Sequence, residues 1–304
     1  MAGVITTGLH PKALQPGVLN WFGLGYGEHR EQFRDLFQVI NKPNRMFVED
    51  VLSSAFTTLP VKPQGQPVSY MTHSQVYTAR YTFVTYAGGF QVPEEEMDAN
   101  LYPELSASRA EMLGRAKRRT METVAANVYN RAFNTSYTGG DGVVLVATTH
   151  PSAVGNQSNI LNPAADISEA ALEDLITQTM KAQDHVGNII QQMPYSLHVP
   201  PDLYFEATRI TESQLQNWTA NNAVNVLKLT GQLPGGVKVQ QYFTDADAFF
   251  IRTDCPNGMK MFISWDKPLE MDKDFDTSNA KQKCSVRLIP YWSDWRQVAG
   301  SPGA

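Results

Sequence analysis

Two adjoining stretches decide the fold: QVYTARYTFVTY at residues 75–86 and SASRAEMLGRAKRRTMETVAANVYNRAF at residues 106–133. The first stretch is dense in β-branched and aromatic residues, and its side chains alternate between two faces, which predicts a strand. Both faces of this strand are semi-polar, unlike the faces of a strand buried in a core. We therefore predict a ribbon that projects from the body. Because an isolated two-stranded ribbon is only marginally stable in water, we expect it to lean on a neighbour.

The second stretch changes to the helical period, with only Gly114 against it. Its apolar residues form one narrow stripe of mostly small side chains: Leu113, Ala116, Thr120, Val124, Val128 and Ala132. A helix over these residues is about 42 Å long, which exceeds the diameter of a small domain. The pattern predicts a helix that lies along a surface rather than through a core.

The residues before the ribbon predict an arm. Residues 1 to about 45 are expected to be extended, with one short helix at residues 28–40, where four apolar side chains recur at helical spacing. The segment LPVKPQGQP at residues 59–67 is too rich in proline and glycine to be helical, which makes it the tip of the ribbon.

The second half of the chain predicts an α/β unit followed by strands. VVLVA at residues 143–147 predicts a short buried strand, and a helix is expected after Asp166 as its capping residue. Residues 196–199 predict a strand, and Pro200 and Pro201 then open a helix. From about residue 237 onward four strands are expected, with a charged loop over residues 266–283 between the last two.

Composition excludes several classes of protein. A chain of 304 residues can bury a sizeable core in two domains, and its net charge of −5 argues against a generic nucleic-acid binder. The sequence has neither an apolar run long enough to cross a membrane nor the pattern of a signal peptide. Cys255 and Cys284 are the two cysteines, which is too few for a disulfide framework, and we expect free thiols.

The search for chemical motifs returns little. The six histidines are scattered, so no spacing indicates a metal site. GLGYG at residues 23–27 lacks the third glycine of a dinucleotide-binding loop and is interpreted as flexible arm. His150, in the segment THPSAVGNQSN at residues 149–159, is either a catalytic base or part of a structural connection. The basic residues Arg115, Lys117, Arg118 and Arg119 either contact phosphate or acidic partners or form a solvated helix face, and the charge pattern favours the solvated face.

The order of these segments resembles one family. The stretches HPKALQPGVLNWFG and YGEH within residues 10–29, YSLHVPPDLYFEATRI at residues 195–210, and the strands after residue 249 are similar to the tailed-phage major capsid protein of the Hong Kong 97 type, in particular the Mu-type major head subunit. The resemblance implies an α+β fold with five parts: an N-terminal arm (1–49), an extended β-hairpin loop (50–95), a spine helix with the first part of a peripheral domain (96–159), an axial domain (160–235) and returning peripheral strands (236–304).

The resemblance also implies the function. Copies of the chain would assemble as hexamers and pentamers into the icosahedral head of a tailed phage around double-stranded DNA. Portal and scaffolding proteins would be partners, and a decoration protein an optional one. We expect no catalytic residue, metal, cofactor or membrane, and a location in the virion after assembly in the host cytoplasm. The expected contacts between subunits are Lys62, Tyr77, Tyr81 and Phe83, and the expected internal basic face is Arg115, Arg118 and Arg119.

Two other functions stay open at this point. The same fold could form an encapsulin-like bacterial compartment whose contents are proteins rather than a genome. A hydrolase that uses His150 is the alternative from a different class. Lys62 is also a formal candidate for the isopeptide cross-link that some relatives form, but nothing in the sequence identifies its partner.

Overall fold

A computed structural model describes residues 11–41, 45–98, 102–216, 223–274 and 278–304 of the chain. The helices are α1 (Pro11–Gly27), α2 (Phe33–Leu36), α3 (Glu94–Asp98), α4 (Tyr102–Asn130), α5 (Glu169–Met180), α6 (Tyr204–Glu212) and α7 (Val226–Thr230). The strands are β1 (Gln38–Asn41), β2 (Phe47–Ser53), β3 (Gln75–Thr82), β4 (Val84–Val92), β5 (Pro194–Val199), β6 (Val237–Val239), β7 (Phe249–Thr253), β8 (Met259–Lys273), β9 (Ala280–Trp292) and β10 (Val298–Ser301).

The first sheet has the order β1-β8-β9-β4, and its centre is the long antiparallel pair β8 and β9. Side chains on one face of this pair, among them Met261, Val286 and Leu288, pack with the C-terminal half of α4 in the largest core. On the opposite face Phe262 and Tyr291 form a second cluster with Val48 and Phe83. Both faces of the pair are therefore buried where they cross the middle of the body.

The second sheet has the order β10-β7-β5-β6. One of its faces carries Leu197, Val199, Phe249 and Ile251, which pack against α5 and α6. Helix α5 begins where the Ser168 side chain accepts a hydrogen bond from the Ala171 backbone N–H, so its cap is Ser168 rather than the predicted Asp166. Because β7 and β10 lie in this sheet, residues after 236 contribute to both sheets.

The ribbon is a hairpin of β2 and β3, joined by a 21-residue segment at residues 54–74 without regular secondary structure apart from one turn. The sequence predicts a single strand over residues 75–86, whereas the structure divides that strand at Phe83. Residues after Phe83 form β4, which leaves the hairpin and pairs with β9 in the first sheet. Only residues 47–82 therefore belong to the ribbon.

The N-terminal region differs from the prediction. Residues 11–27 form a helix rather than an extended arm, while the predicted helix over residues 28–40 is reduced to the single turn of α2. The strand β1 follows directly and pairs in parallel with β8. The apolar side chains at helical spacing are buried as expected, but Ile40 reaches the core from a strand, because the sheet edge offers its backbone partners.

Helix α1 crosses α4 at two glycines. A Cβ atom at Gly25 would collide with the backbone carbonyl of Glu111, and one at Gly114 would lie 2.5 Å from the carbonyl oxygen of Phe22. The glycines that weaken the helical pattern in the sequence therefore allow two helix backbones to touch. GLGYG is the end of a packed helix, and its interpretation as flexible arm is wrong.

The buried face of α4 also differs from the predicted stripe. Of the predicted residues Ala132 is buried, whereas Ala116 is exposed. The buried face runs through Ala110, Gly114, Lys117, Arg118, Met121, Glu122, Ala125, Ala126 and Tyr129. The prediction fails because it follows hydrophobicity, whereas this face contains charged residues that find partners in the N-terminal region and in β8.

Two further predictions are wrong. Residues 143–147 form no strand, although Leu145 and Val146 are buried, because their backbone makes only one isolated bridge, between Val144 and Thr138. The predicted charged loop at residues 266–283 is mostly strand. It continues the ladder of β8 and β9, in which Leu269, Ala280 and Gln282 are buried while charged side chains such as Asp272 and Lys281 are exposed.

We expect Gly25→Ala to loosen the N-terminal helix, because the added methyl group forces the backbones of α1 and α4 apart. Hydrogen exchange measured by mass spectrometry should show faster exchange across residues 19–36. Gly23→Ala is the matched control, since a Cβ there meets no atom within 4 Å. That substitution should leave exchange unchanged or slow it, because alanine favours the helix by about 0.5–1 kcal/mol. Equal behaviour of the two variants would contradict the close crossing.

Candidate assembly surface

The base of the hairpin is anchored to the body by one carboxylate. Asp50 on β2 accepts hydrogen bonds from the Lys260 ammonium at 2.8 Å, the Tyr291 hydroxyl at 2.7 Å and the Ser293 hydroxyl. Burial raises the pKa of this carboxyl, but the three donors and the charge of Lys260 outweigh burial, and the net effect lowers the pKa of Asp50. A charged group therefore joins β2 to β8 and β9.

Two tyrosines of β3 reinforce this anchor. The Tyr77 hydroxyl donates to the Ser293 carbonyl at 3.0 Å, and the Tyr81 hydroxyl donates to the Trp292 carbonyl at 2.8 Å. The Tyr81 ring centroid also lies 4.3 Å from that of Tyr291. Burial is the main cause that raises the pKa of both phenols, so both remain hydrogen-bond donors.

The segment at residues 54–74, which we call the tip, has the opposite character. Its large apolar side chains lie in solvent: Leu59 is 86% exposed, Val61 93% and Tyr70 97%. Contact with the rest of the subunit occurs near its base, where the Asn188 amide donates to the Phe56 carbonyl at 2.9 Å. The tip is thus held at its ends and leaves its apolar side chains uncovered.

The residues predicted to contact other subunits fall into two groups. Lys62 lies exposed in the tip, as an inter-subunit contact requires, and its role stays a prediction. Phe83 is buried against its own β8 and β9, and the hydroxyls of Tyr77 and Tyr81 are used within the subunit. The sequence indicates that these aromatic side chains are buried, but it does not show that the burying contacts come from the same subunit.

The predicted basic face on α4 is not a single surface. Arg118 is buried, donates to the Tyr26 carbonyl at 3.1 Å and pairs with Glu31 at 2.8 Å. Arg115 pairs with Glu28 and Glu111 at the surface.

The other two basic residues of this cluster also separate. Arg119 is exposed and has no ion-pair partner among the residues that the structure describes. Lys117 is buried and pairs with Asp266. The cluster therefore attaches the N-terminal region and β8 to α4 instead of offering four cations to a ligand.

His150 is completely buried in a structural cluster. Its Nδ1 atom lies 2.6 Å from the Asp141 carboxylate, and its ring stacks on Trp295 at a centroid distance of 4.0 Å. Its Nε2 atom lies 3.2 Å from Oδ1 of Asn159, whose amide nitrogen donates to the carbonyls of Leu145 and Val298. The ring has no exposed surface in the folded subunit.

The amides of the same connection satisfy backbone groups. Asn159 accepts a hydrogen bond from the Ala147 backbone and donates to strand β10, while Gln157 donates to the Asp184 carbonyl. Backbone hydrogen bonds between His150 and Gln157 close the loop. The segment therefore ties residues 145–147 and the turn at Asp184 to strand β10 through its own polar side chains.

The described residues show few other chemical features. No group of three or more potential metal ligands occurs among them, and both cysteines are buried free thiols. None of the described helices combines the length and apolarity needed to cross a membrane.

Comparison with known proteins identifies the family. A family profile described as "Phage capsid protein" matches residues 76–300, which is well over half of the chain. The chain belongs to this family.

Solved capsid structures agree with this membership. The capsid of the cyanophage P-SCSP1u aligns with a TM-score of 0.61 at 10% identity, over 90% of this chain and 88% of that chain. The virus-like particle from Pyrococcus furiosus aligns with a TM-score of 0.58 at 13% identity, over 94% and 98% of the two chains. The capsid of a native GTA particle aligns with a TM-score of 0.53 at 13% identity, over 100% and 93%. None of the curated proteins matches the sequence.

At such low identity the structures establish the fold, and the profile establishes the family. The capsid protein therefore has the Hong Kong 97-type α+β fold that the order of its segments resembles, and the fold prediction is confirmed. With the family membership, this fold makes the chain a major capsid protein.

Sequence reasoning missed part of the capsid protein's exposed surface. Phe205 and Leu229, on α6 and α7, are 70% and 74% exposed. Within the tip, the signal available in the sequence is the mixture of leucine, valine and tyrosine with proline and glycine, since apolar residues in a segment that cannot form regular structure often remain exposed. Asp50 carries no sequence signal, because its partners are more than 200 residues away.

We expect Asp50→Asn to destabilise the capsid protein at neutral pH by about 1–3 kcal/mol, since Lys260 then keeps a charge without its partner. The lowered pKa means that Asp50 stabilises the fold above the ordinary aspartate value of 3.8, and that this contribution is lost as the pH falls through the lower folded value. The difference in unfolding free energy between wild type and variant should therefore shrink in acid. Denaturant titrations between pH 7 and pH 2.5 measure it, and a difference independent of pH would contradict the charged anchor.

We expect His150→Phe to destabilise the subunit by about 3 kcal/mol or more, because phenylalanine retains the stacking on Trp295 but leaves the Asp141 carboxylate buried without its partner. Thermal unfolding measures the loss. His185→Phe makes the same chemical change at a half-buried side chain and should cost less than about 1 kcal/mol. A fully stable His150→Phe protein would contradict the structural role.

Proposed function

We propose that copies of this chain assemble through hexamers and pentamers into a closed icosahedral shell that encloses double-stranded DNA. Repeated contact between different surfaces of identical subunits closes into rings or shells when the geometry permits. The observation that carries the proposal is the tip, a segment of the subunit that is anchored at its base and uncovered at its apolar end.

The energetics of the tip favour a neighbouring copy as its cover. Full burial of a leucine, valine or tyrosine side chain stabilises by about 1.5–3 kcal/mol, and the isolated subunit forgoes this for Leu59, Val61 and Tyr70. Large apolar patches exposed on a soluble protein mark sites of interaction with other proteins, and the tip concentrates three almost fully exposed apolar side chains within 12 residues. In a shell every tip meets another copy, so each subunit recovers the stabilisation.

The end of the second sheet provides a separate surface. Phe205, Val226 and Leu229 are exposed on α6, which packs beside β6, and on α7, which packs beside α6. Two apolar surfaces on one subunit are what a shell needs, since one can close a ring of subunits and the other can join neighbouring rings. We assign the ring contacts to this end.

The remaining roles follow from the same proposal. Portal and scaffolding proteins are proposed partners and a decoration protein an optional one; the location is the virion after assembly in the host cytoplasm. Lys62, in the tip, is a proposed inter-subunit contact. Phe83 is withdrawn from that set because it is buried within its own subunit.

A compartment shell with protein contents is the second candidate, because the fold also aligns with a virus-like particle. Fold alone does not separate the two, but the phage capsid family favours a head. Purified particles distinguish them: a head contains DNA and associates with a portal, whereas a compartment contains a protein cargo.

We expect the triple substitution Leu59→Ser, Val61→Ser and Tyr70→Ser to leave the subunit folded but to prevent or strongly weaken assembly. The reason is that these side chains contribute nothing to the subunit core, whereas their burial stabilises the contact with a neighbour. Circular dichroism reports folding, and size-exclusion chromatography with light scattering and electron microscopy reports assembly.

The matched control is Thr57→Ser, Gln64→Ser and Gln66→Ser in the same exposed tip. It changes the same number of residues without removing apolar area and should assemble normally. If the first variant assembles as well as the control, the tip is not the assembly contact. Loss of folding in the first variant would mean that the tip belongs to the subunit core.

A further inference from the structure

A polar cleft of about 710 Å³ lies between the second sheet and the segment formed by α2 and β1. The register of the sheet places Lys238 opposite His198, and Arg252 opposite Ser196, so these four side chains share one face. The opposite face packs against α5 and α6, as described above. Ser196, Lys238 and Arg252 all line the cleft.

Three cations line the cleft: Arg34 pairs with Glu31, whereas Lys238 and Arg252 have no acidic partner among the residues that the structure describes. Arg252 donates to the Asp35 backbone carbonyl at 2.6 Å, which fixes its guanidinium at the wall of the cleft and leaves its other N–H groups available. Lys238 has neither a hydrogen bond nor an ion pair to any residue that the structure describes. Two unpaired cations on one sheet face repel each other, so an anion between them would stabilise both.

The carboxylates at the rim are already engaged. Asp35 pairs with Arg30 through both oxygens, at 2.8 and 3.0 Å. Asp254 accepts a hydrogen bond from the Met193 backbone at 2.7 Å. Within the described part of the chain, neither carboxylate forms an ion pair with Lys238 or Arg252.

A third donor comes from the buried side of the cleft. The Gln240 amide donates to Nδ1 of His198, which places the ring proton on Nε2, where it donates to the Ser196 hydroxyl oxygen at 2.9 Å. The hydroxyl hydrogen of Ser196 is then free to donate to a ligand. Burial, followed by the charges of Arg252 and Lys238, lowers the pKa of His198 to about 3, so the ring stays neutral and keeps this orientation at neutral pH.

We propose that this cleft is a binding site for a phosphate group, held by the Arg252 guanidinium, the Lys238 ammonium and the Ser196 hydroxyl. A phosphate matches the site because its several oxygens accept hydrogen bonds from a guanidinium, an ammonium and a hydroxyl at once, and its charge balances two cations. The phosphate comes from one of two sources, free inorganic phosphate or the backbone of duplex DNA. The proposal goes beyond assembly and does not depend on it.

The first experiment titrates inorganic phosphate into the purified subunit at constant ionic strength, with chloride as the reference anion, and follows the unfolding temperature. We expect saturable stabilisation of the wild type. Arg252→Gln and Lys238→Gln should each raise the phosphate Kd about tenfold or more, because each removes a charge-assisted hydrogen bond. Arg252→Lys tests geometry with the charge kept, and should bind more weakly than wild type.

The matched control is Arg119→Gln, which removes an exposed cation without an ion-pair partner from α4, outside the cleft. It should bind phosphate like the wild type. An equal loss in the control and the cleft variants would show general surface charge and overturn the proposal. The proposal would also be overturned if phosphate had no effect and stabilisation appeared only on assembly. In that case a carboxylate of a neighbouring subunit, rather than a phosphate, would pair with the two cations.

The second experiment measures binding of a short DNA duplex by fluorescence anisotropy as a function of salt. If the DNA backbone is the source, each cleft substitution should reduce the slope of log Kd against log salt by about one. The Arg119→Gln control should leave the contribution of the cleft to this slope unchanged. Phosphate binding by the cleft without a change in the DNA slope identifies free phosphate as the source. Failure of both phosphate and DNA to respond to the cleft substitutions rejects the site.

Discussion

Burial of the β8 and β9 pair on both faces is the constraint on which the rest of the subunit depends. One face of the pair receives α4 and the other receives the base of the hairpin, and alternate residues along each strand serve the two cores. Met261 and Leu288 belong to the first core, while Phe262 and Ile289, which face each other across the ladder, belong to the second. A one-residue slip in this register would exchange the two sets and remove the support of both the spine helix and the hairpin.

The position of α4 itself depends on charged side chains whose hydrogen-bond partners are far away in the sequence. Glu122 accepts hydrogen bonds from the backbone N–H groups of Gln32 and Phe33 at 2.9 Å each and so caps α2, although burial raises its pKa. Lys117 donates to the Lys267 carbonyl at 2.7 Å and so contacts β8. Removing either side chain would leave buried groups of its partner without a hydrogen bond, so these contacts hold the N-terminal region and β8 in fixed positions relative to α4.

These contacts explain where sequence reasoning succeeds and where it fails. The helix, the hairpin and the strand followed by Pro-Pro are local features, and their residue types and periodicity predict them. The buried face of α4 is not predictable in the same way, because Lys117, Arg118 and Glu122 appear solvated until their distant partners are known. Residues 38–41 form a strand instead of the end of the predicted helix because they pair with the edge of β8, more than 200 residues later in the chain. At the assembly surface, the composition of the tip predicts its exposure, but the anchor at Asp50 requires the folded chain.

The contrast between the fixed base of the hairpin and its uncovered tip has a consequence for binding. Association is weakened by the entropy lost when flexible segments become ordered, and segments held in place before binding lose less. In the hairpin, Asp50, Tyr77 and Tyr81 restrain both strands against the subunit, so the ends of the 21-residue tip are already close together. Closing a loop of this length in a free chain would add an entropic cost that grows with its number of residues. Because folding of the subunit has already met that cost, more of the free energy from covering Leu59, Val61 and Tyr70 remains available for the contact with a neighbouring copy.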